Sequence, residues 1–192
     1  MNIKIFDFDG VICNSNNVKT HCLKKAVEVN INKTAAEDFE KHHKLNGGIS
    51  RYVKYKRIVE KYKCRQDVYD KMITDTSKLL KKEFIKLKLV DKAELIFKYF
   101  FNSGDKIFIA SGGNEDEIKV LCERWGITKY FEGIYGSPKE KMSICKKIRE
   151  KYKQSKIKMY GDSKYDYECA EKINAEFIFV SQYADSKEWF KE

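Results

Sequence analysis

The chain of 192 residues contains a single proline, Pro138, and no low-complexity stretch. A break between independent domains usually shows as a Pro-, Gly- or Ser-rich linker. The sequence therefore reads as one domain, or one domain carrying an insertion, long enough to bury a substantial core. No apolar run approaches the ~20 residues that a helix needs to span a bilayer. The first residues read as a strand, without the basic flank and small-residue cleavage site of a secretory signal, and the expected location is cytoplasmic. The six cysteines, at 13, 22, 64, 122, 145 and 169, form no Cys-x-x-Cys pair and no Cys/His cluster with zinc spacing. That leaves no signature of a zinc framework, and in a reducing compartment such thiols are expected to be buried or incidental.

What is present is charge and periodicity. Hydrophobic residues make up 42% of the chain and charged residues 35%, a balance that folds. The net charge is +10, and residues 13–87 carry nearly all of it, with 18 Lys/Arg against 9 Asp/Glu. Solvated, lysine-rich helix faces account for most such excess; a basic lid over a site for anionic substrates is the sharper reading. A nucleic-acid-binding module is the remote alternative. Tyr52, Tyr55, Tyr62 and Tyr69 are interleaved with the cations at helical spacing, which favours packing over base stacking.

The opening stretch, Ile3-Lys4-Ile5-Phe6-Asp7-Phe8-Asp9-Gly10-Val11, is a short apolar strand that runs into two aspartates and a glycine. Strand alternation puts Asp7 and Asp9 on one side, and Gly10 frees the backbone to turn. Carboxylates held that close repel unless a positive charge joins them, and oxygen-rich clusters favour Mg²⁺.

Helical patterns follow over 18–29, 34–45, 50–62 and 66–88. Beyond them strand and helix alternate: helix 93–101, strand 106–110, helix 115–125, strand 133–135, helix 141–152, strand 157–160, helix 165–173 and strand 177–180. A short last helix from Asp185 to Glu192, with Trp189 and Phe190 packed inward, closes the pattern. Alternation of this kind predicts an α/β fold, a parallel sheet with helices on both faces. In such sheets chemistry collects at the carboxyl ends of the strands. Asp7 and Asp9, then Ser111, then Lys139 and Lys141, then Asp162 and Asp166 all lie at or just beyond those ends. Each has a bland reading alone, as a turn, cap or solvated residue; together and in this order they make a constellation.

The constellation resembles the haloacid dehalogenase superfamily of aspartyl-nucleophile phosphatases. Asp7-Phe8-Asp9-Gly10-Val11 looks like its first motif, Ser111 its second, Lys141 its third, and Gly161-Asp162-Ser163 through Asp166 its fourth. Family members often carry Lys-Pro at the third motif, whereas the order here is Ser137-Pro138-Lys139-Glu140-Lys141. Lys141 leads directly into the helix and is preferred, with Lys139 as the alternative. The resemblance implies a Rossmann-like parallel-sheet core, residues 1–12 and 89–192, with a helical cap, residues 13–88, inserted after the first strand.

It also implies roles. Asp7 would attack phosphorus, and Asp9 would protonate the leaving oxygen and later activate water. Mg²⁺ would be held by Asp7, the backbone carbonyl of Asp9, and Asp162. Lys141 would add a second positive charge, and Ser111 with the amides of Gly112, Gly113 and Asn114 would hold the remaining phosphoryl oxygens. Asp166 would orient Lys141 or metal-bound water. Asp9 itself favours phosphoryl transfer, because members that cleave carbon–halogen bonds generally lack an acid there. In the cap, Asn46-Gly47-Gly48-Ile49-Ser50-Arg51 looks like a loop that meets substrate in sugar-phosphate mutases and phosphatases of the family, with Ser50 and Arg51 as contacts. His42 and His43, adjacent on a helix, point in different directions and do not share a metal. The implied activity is Mg²⁺-dependent hydrolysis of a small phosphate monoester, a sugar phosphate or a phosphoglycolate-like acid. A phosphomutase using the same nucleophile is the alternative.

Overall fold

β1 (Ile3–Phe6) is buried along its whole length, as befits a strand in the middle of a sheet covered on both faces. A computed structural model describes residues 1–190 and puts it there. Parallel pairing matches Ile5 to Phe108 of β2 (Lys106–Asn114) on one side and to Met159 of β4 (Ile157–Gly161) on the other. β3 (Phe131–Ser137) lies beyond β2 and β5 (Glu176–Phe179) beyond β4, so five parallel strands run in the order β3-β2-β1-β4-β5. The chain moves outward from β1 to β3, then returns to the other side of β1. Strand order thus reverses beside β1, and a crevice opens at the carboxyl ends of β1 and β4.

Alternation along β2 sorts the two cores. Ile107 and Ile109 pack with Phe97 of α5 (Ala93–Asn102) and Ile118 and Leu121 of α6 (Glu115–Arg124). Phe108 and Ala110 face the other side, with Ile144 and Ile148 of α7 (Lys141–Lys151) and Cys169 and Ala170 of α8 (Lys164–Lys172). Lys4 interrupts the apolar run of β1 and is buried; its ammonium lies 3.5 Å from Asp105 and 4.8 Å from the centroid of the Phe100 ring.

Five helices come between β1 and β2; ahead of α5 lie α1 (Asn16–Asn30), α2 (Lys33–Leu45), α3 (Arg51–Lys61) and α4 (Gln66–Phe84). Their apolar faces converge on a third cluster that includes Leu23, Phe39, Tyr55, Ile58, Met72 and Leu80. The chain leaves and rejoins the sheet side by side. Cys13 bridges Leu89, and the Val90 amide donates to the Ile12 carbonyl at 2.9 Å.

Four elements differ clearly from the sequence pattern, one of them β2, which runs on through Ser111, Gly112 and Gly113 to Asn114 instead of ending at 110. α4 ends at Phe84, not 88, because the chain must turn there to reach that crossing; Leu87 is still buried, in the core beside β1. β3 is longer than 133–135, since parallel pairing with β2 carries it through polar and glycine positions. The expected final helix is absent from its described part, 185–190, which consists of turns, while residues 191–192 lie outside the described residues. Aromatic packing competes successfully with the helix: Trp189 and Phe190 sit 5.1 and 4.6 Å from the Phe179 ring of edge strand β5. Among the described residues, no helix is long and apolar enough to cross a membrane.

Tyr55 fixes how α1, α3 and α4 meet. It is wholly buried, with its hydroxyl 2.5 Å from Thr76 Oγ1 and donating to the Leu23 carbonyl at 3.2 Å. Tyr55→Phe leaves both partners buried without it. It should lower unfolding free energy by about 1–3 kcal/mol in urea titration, with little change in the denaturant slope.

Candidate active site

The site begins with what β1 cannot resolve internally. Just past its end, Asp7 is 3% exposed. Its Oδ1 accepts from the Phe8 amide at 2.7 Å and lies 2.9 Å from Lys141 Nζ. Lys141, at the first turn of α7, is 2% exposed and also donates to Asp166 Oδ1 at 2.6 Å. Asp166 is held from its other oxygen. Oδ2 accepts from the Ser163 amide at 3.1 Å and the Ser163 hydroxyl at 2.6 Å, the capping box that starts α8. The bland reading of Asp166 as a helix-start acid and its role beside Lys141 are therefore both true: capping fixes one oxygen and leaves the other to hold the lysine.

Asp162 closes the group from the end of β4. It is buried, and Asn16 Nδ2 donates to its Oδ2 at 2.7 Å while also donating to the Tyr183 carbonyl at 2.9 Å. Gly10 makes the approach possible. Its φ is +74°, and a Cβ there would stand 2.0 Å from Asp162 Oδ2.

Asp9 faces the same cavity with partners of its own. Ser15 occupies the N-cap position of α1 but makes no capping bond; its hydroxyl instead donates to Asp9 Oδ1 at 2.5 Å. One turn later Lys19 donates to Asp9 Oδ2. Ser111 ends the buried part of β2, its Oγ accepting from the Gly113 amide at 3.0 Å. Asn114 caps α6 through the Glu117 amide and donates to the Tyr52 hydroxyl of α3, each at 3.0 Å.

The loop between α2 and α3 lies directly over this floor. A Cβ on Gly48 would be 2.6 Å from Ser163 Oγ and 3.5 Å from Lys141 Nζ, and one on Gly112 would meet the Gly48 carbonyl oxygen at 2.1 Å. Ser50 caps α3 by accepting from the Tyr52 amide. Arg51 is buried and pairs bidentately with Glu117 of α6, at 3.0 and 2.8 Å, and with Ser77 at 3.1 Å. Among the described residues its Nε has no hydrogen-bond partner. Lys139 points elsewhere, exposed and 3.1 Å from Glu115.

The structure thus brings together Asp7, Asp9, Ser111, Lys141, Asp162 and Asp166, with Gly112, Gly113, Asn114 and Arg51 around them, whereas Ser50 serves as the cap of α3 and is not part of the cavity lining. Asn16, Lys19, Lys54 and Asp185 also line the cavity and were missed by motif reasoning. The one usable signal for Asn16 and Lys19 is position: they sit in the first turns after the two-aspartate strand end, on a helix that must start beside it.

Electrostatics show what the arrangement lacks. Burial works against the Lys141 charge, but Asp166 and Asp7 more than offset it and hold its pKa well above the usual value. Burial lifts the Asp7 carboxyl to about 7, Lys141 pulling it down and Asp166 and Asp9 pushing it up. Asp162 is lifted to about 8 by burial and by Asp7 and Asp166. Three acids share one lysine. Carboxylate oxygens of Asp7, Asp162 and Asp166 lie within 4.8 Å of one another, and an all-oxygen donor set short of positive charge fits a hard divalent cation.

The sequence profile of the haloacid dehalogenase-like hydrolases matches residues 4–180. The chain belongs to this family. It is therefore an enzyme of the hydrolase class, and the matched span contains Asp7, Asp9, Ser111, Lys141, Asp162 and Asp166, while Asp185 lies beyond it. Comparison with curated proteins gives no match. Among solved structures, a predicted phosphatase from Clostridium acetobutylicum superposes with a TM-score of 0.75 at 21% identity, over 97% of this chain and 87% of that one. A hydrolase from Pseudomonas syringae gives 0.77 at 13%, over 93% and 84%. A predicted phosphoglycolate phosphatase from Haemophilus somnus 129PT gives 0.73 at 15%, over 93% and 84%. At these identities the likeness is one of fold.

The raised carboxyls set a pH dependence. Asp7 and Asp162 bind protons more tightly folded than unfolded, so their contribution to stability is present at low pH and lost as pH rises through about 7–8. A cation binds only the ionised forms. Added Mg²⁺ should raise Tm little at about pH 5.5 and progressively more towards about pH 8.5. Asp162→Asn should abolish that increment and raise the Tm of the metal-free protein at the higher pH. Thermal unfolding with Mg²⁺ and with a chelator measures both.

Proposed function

We propose that the protein is a Mg²⁺-dependent phosphatase that hydrolyses a small phosphate monoester through an aspartyl-phosphate on Asp7. The observation that carries this reading is Lys141 seated between Asp7 and Asp166, with Asp162 beside them and Asp9 across the cavity. One cation and three converging acids suit a reaction whose transition state carries charge on equatorial phosphoryl oxygens.

The chain's residues divide the work. Asp7 Oδ attacks phosphorus while the ester P–O bond breaks, and Asp9 gives the departing oxygen its proton. Water then attacks the phosphorus, Asp9 takes the proton back, the bond to Asp7 breaks, and inorganic phosphate leaves. Lys141 holds Asp7 in place and presents positive charge, and Asp166, fixed by its capping bonds, orients Lys141. The Ser111 hydroxyl has accepted its bond from Gly113 and keeps its proton to donate to a phosphoryl oxygen. The amides of Gly112 and Asn114 hold the other oxygens. Mg²⁺, held by Asp7, the Asp9 carbonyl and Asp162, would neutralise the ester and polarise its phosphoryl oxygens.

The helices of residues 13–88 are the cap in this reading, over a core of residues 1–12 and 89–192. Its loop at Gly48, the Arg51–Glu117 pair and the Asn114–Tyr52 bond support a lid that keeps bulk water from the first step. Arg51 lines the substrate side of that lid, and Ser50 acts on it only by capping the helix that carries Arg51. A small, soluble ester such as a sugar phosphate or a phosphoglycolate-like acid fits beneath it, and nucleic acid does not.

A phosphate-release screen over such esters tests the reading. Turnover should need Mg²⁺, vanish in Asp7→Asn, and fall by about a hundredfold or more in Lys141→Met. Release from no ester, or equal release by Asp7→Asn, would overturn it.

A further inference from the structure

Of the cations lining the cavity, most have a carboxylate. Lys141 has Asp7 and Asp166, Lys19 has Asp9, Arg51 has Glu117, and Lys44 has Glu40 at 2.9 Å. Lys164 has Glu168 at 4.0 Å. Lys54 is different. It projects from α3 into the same cavity and is 2% exposed, yet among the described residues no carboxylate lies within 4 Å of its Nζ. The one hydrogen-bond partner of that Nζ is His43 Nδ1, at 3.0 Å. An ammonium has three N–H donors, so two are left without a protein acceptor in a place nearly closed to water. A buried cation in that state is costly unless an anion joins it.

We infer that Lys54, backed by His43, is the recognition site for a second anionic group on the substrate, so that the preferred ester carries a carboxylate or a further phosphate at the end away from Asp7. The inference rests on the phosphate-ester reading of the site and narrows it. The surroundings of Lys54 agree. Burial draws its pKa down to about 7; Asp185 and Asp9 act to raise it, and Lys19 and Lys141 to lower it. An arriving anion supplies what holds the charge in place. Burial likewise keeps His43 neutral at ordinary pH, with Lys54 adding to the effect, so its ring nitrogen accepts the Lys54 proton rather than competing for the anion. Asp185, on the segment after β5, lines the same cavity and is felt by Lys54 from beyond salt-bridge distance. It opposes a second anion and sets how strongly one is preferred.

Calorimetric titration of the Asp7→Asn protein in Mg²⁺ tests this without turnover. Three probes separate the cases: phosphoglycolate, ethyl phosphate of similar size without the second charge, and a short alkane bisphosphate. Phosphoglycolate or the bisphosphate should bind at least about tenfold tighter than ethyl phosphate, and whichever does identifies the group. In the same background Lys54→Met should bring that ratio close to one, Lys54→Arg should keep most of it, and Asp185→Asn should increase it. The last two variants keep the test decisive if Lys54→Met does not fold. A ratio near one in the Asp7→Asn protein, or a ratio untouched by Lys54→Met, would overturn the inference. Absence of phosphate release from any ester by the unmodified protein would instead overturn the phosphatase reading, and the binding ratios would still judge Lys54.

Discussion

A single ammonium group, that of Lys141, stands between two buried carboxylates, and the rest of the site is arranged around that fact. Asp7 arrives from the end of β1, Lys141 from the start of α7 and Asp166 from the first turn of α8. Each strand end or helix start is set by the parallel sheet, so the meeting point lies where the fold aims them. Removing one partner of a buried pair leaves a charge without compensation, at about 3–5 kcal/mol. The three residues are thus bound to one another in stability as well as in chemistry. Asp162 brings a further acid to a place that has no second lysine to meet it. On the proposed reading a divalent cation and an anionic ester would offset this, and the surrounding structure holds the acids in place meanwhile.

Close approach is the second constraint. Positions 10, 48 and 112 carry no side chain because none fits. At Gly10 a Cβ would collide with Asp162, at Gly48 with Ser163, and at Gly112 with the backbone of Gly48. The first lets two strand ends converge. The other two let the loop of the helical segment lie against the floor of the site. Arg51 and Glu117 tie the same loop to α6, so the geometry over the site is fixed from both sides of the chain crossing at Ile12 and Val90.

Much of this was legible in the sequence because its signals are periodic or local. Alternation and apolar runs marked β1, β2 and β4, and acids or a serine after apolar strands marked the site, since strand ends in a parallel sheet converge whatever their separation in sequence. Lys19 and Lys54 were not legible. They lie in a segment with 18 basic residues, and nothing local distinguishes a lysine turned inward from one in solvent. Nothing local marked Ser15, and only the structure shows that, at the N-cap position of α1, its hydroxyl is given to Asp9 instead of to the helix. Arg51 was legible as a loop residue beside the site, but not its partner, 66 positions away on α6. The last segment misled because Trp189 and Phe190 have helical spacing from nothing in particular; their pull toward the aromatic edge of β5 depends on a tertiary surface that periodicity does not encode.

The excess of positive charge in residues 13–87 gains a meaning from where its members point. Some of it is neutralised at the surface: Lys24 and Lys44 both meet Glu40, and Arg57 and Lys61 both meet Asp38. Lys19 and Lys54 turn inward and are part of the cavity wall. The cavity wall mixes charges of both signs, with Lys19 beside Asp9 and Lys54 sharing the space with Asp185. On the proposed reading, an anionic ester would be drawn by Lys19 and Lys54, whose field is stronger where water is excluded, and this would offset repulsion from the carboxylates. The same lysines that made the segment look like a nucleic-acid surface thus act in the opposite geometry. They line a cavity beside the acids, which on the proposed reading suits a compact anion better than a long one.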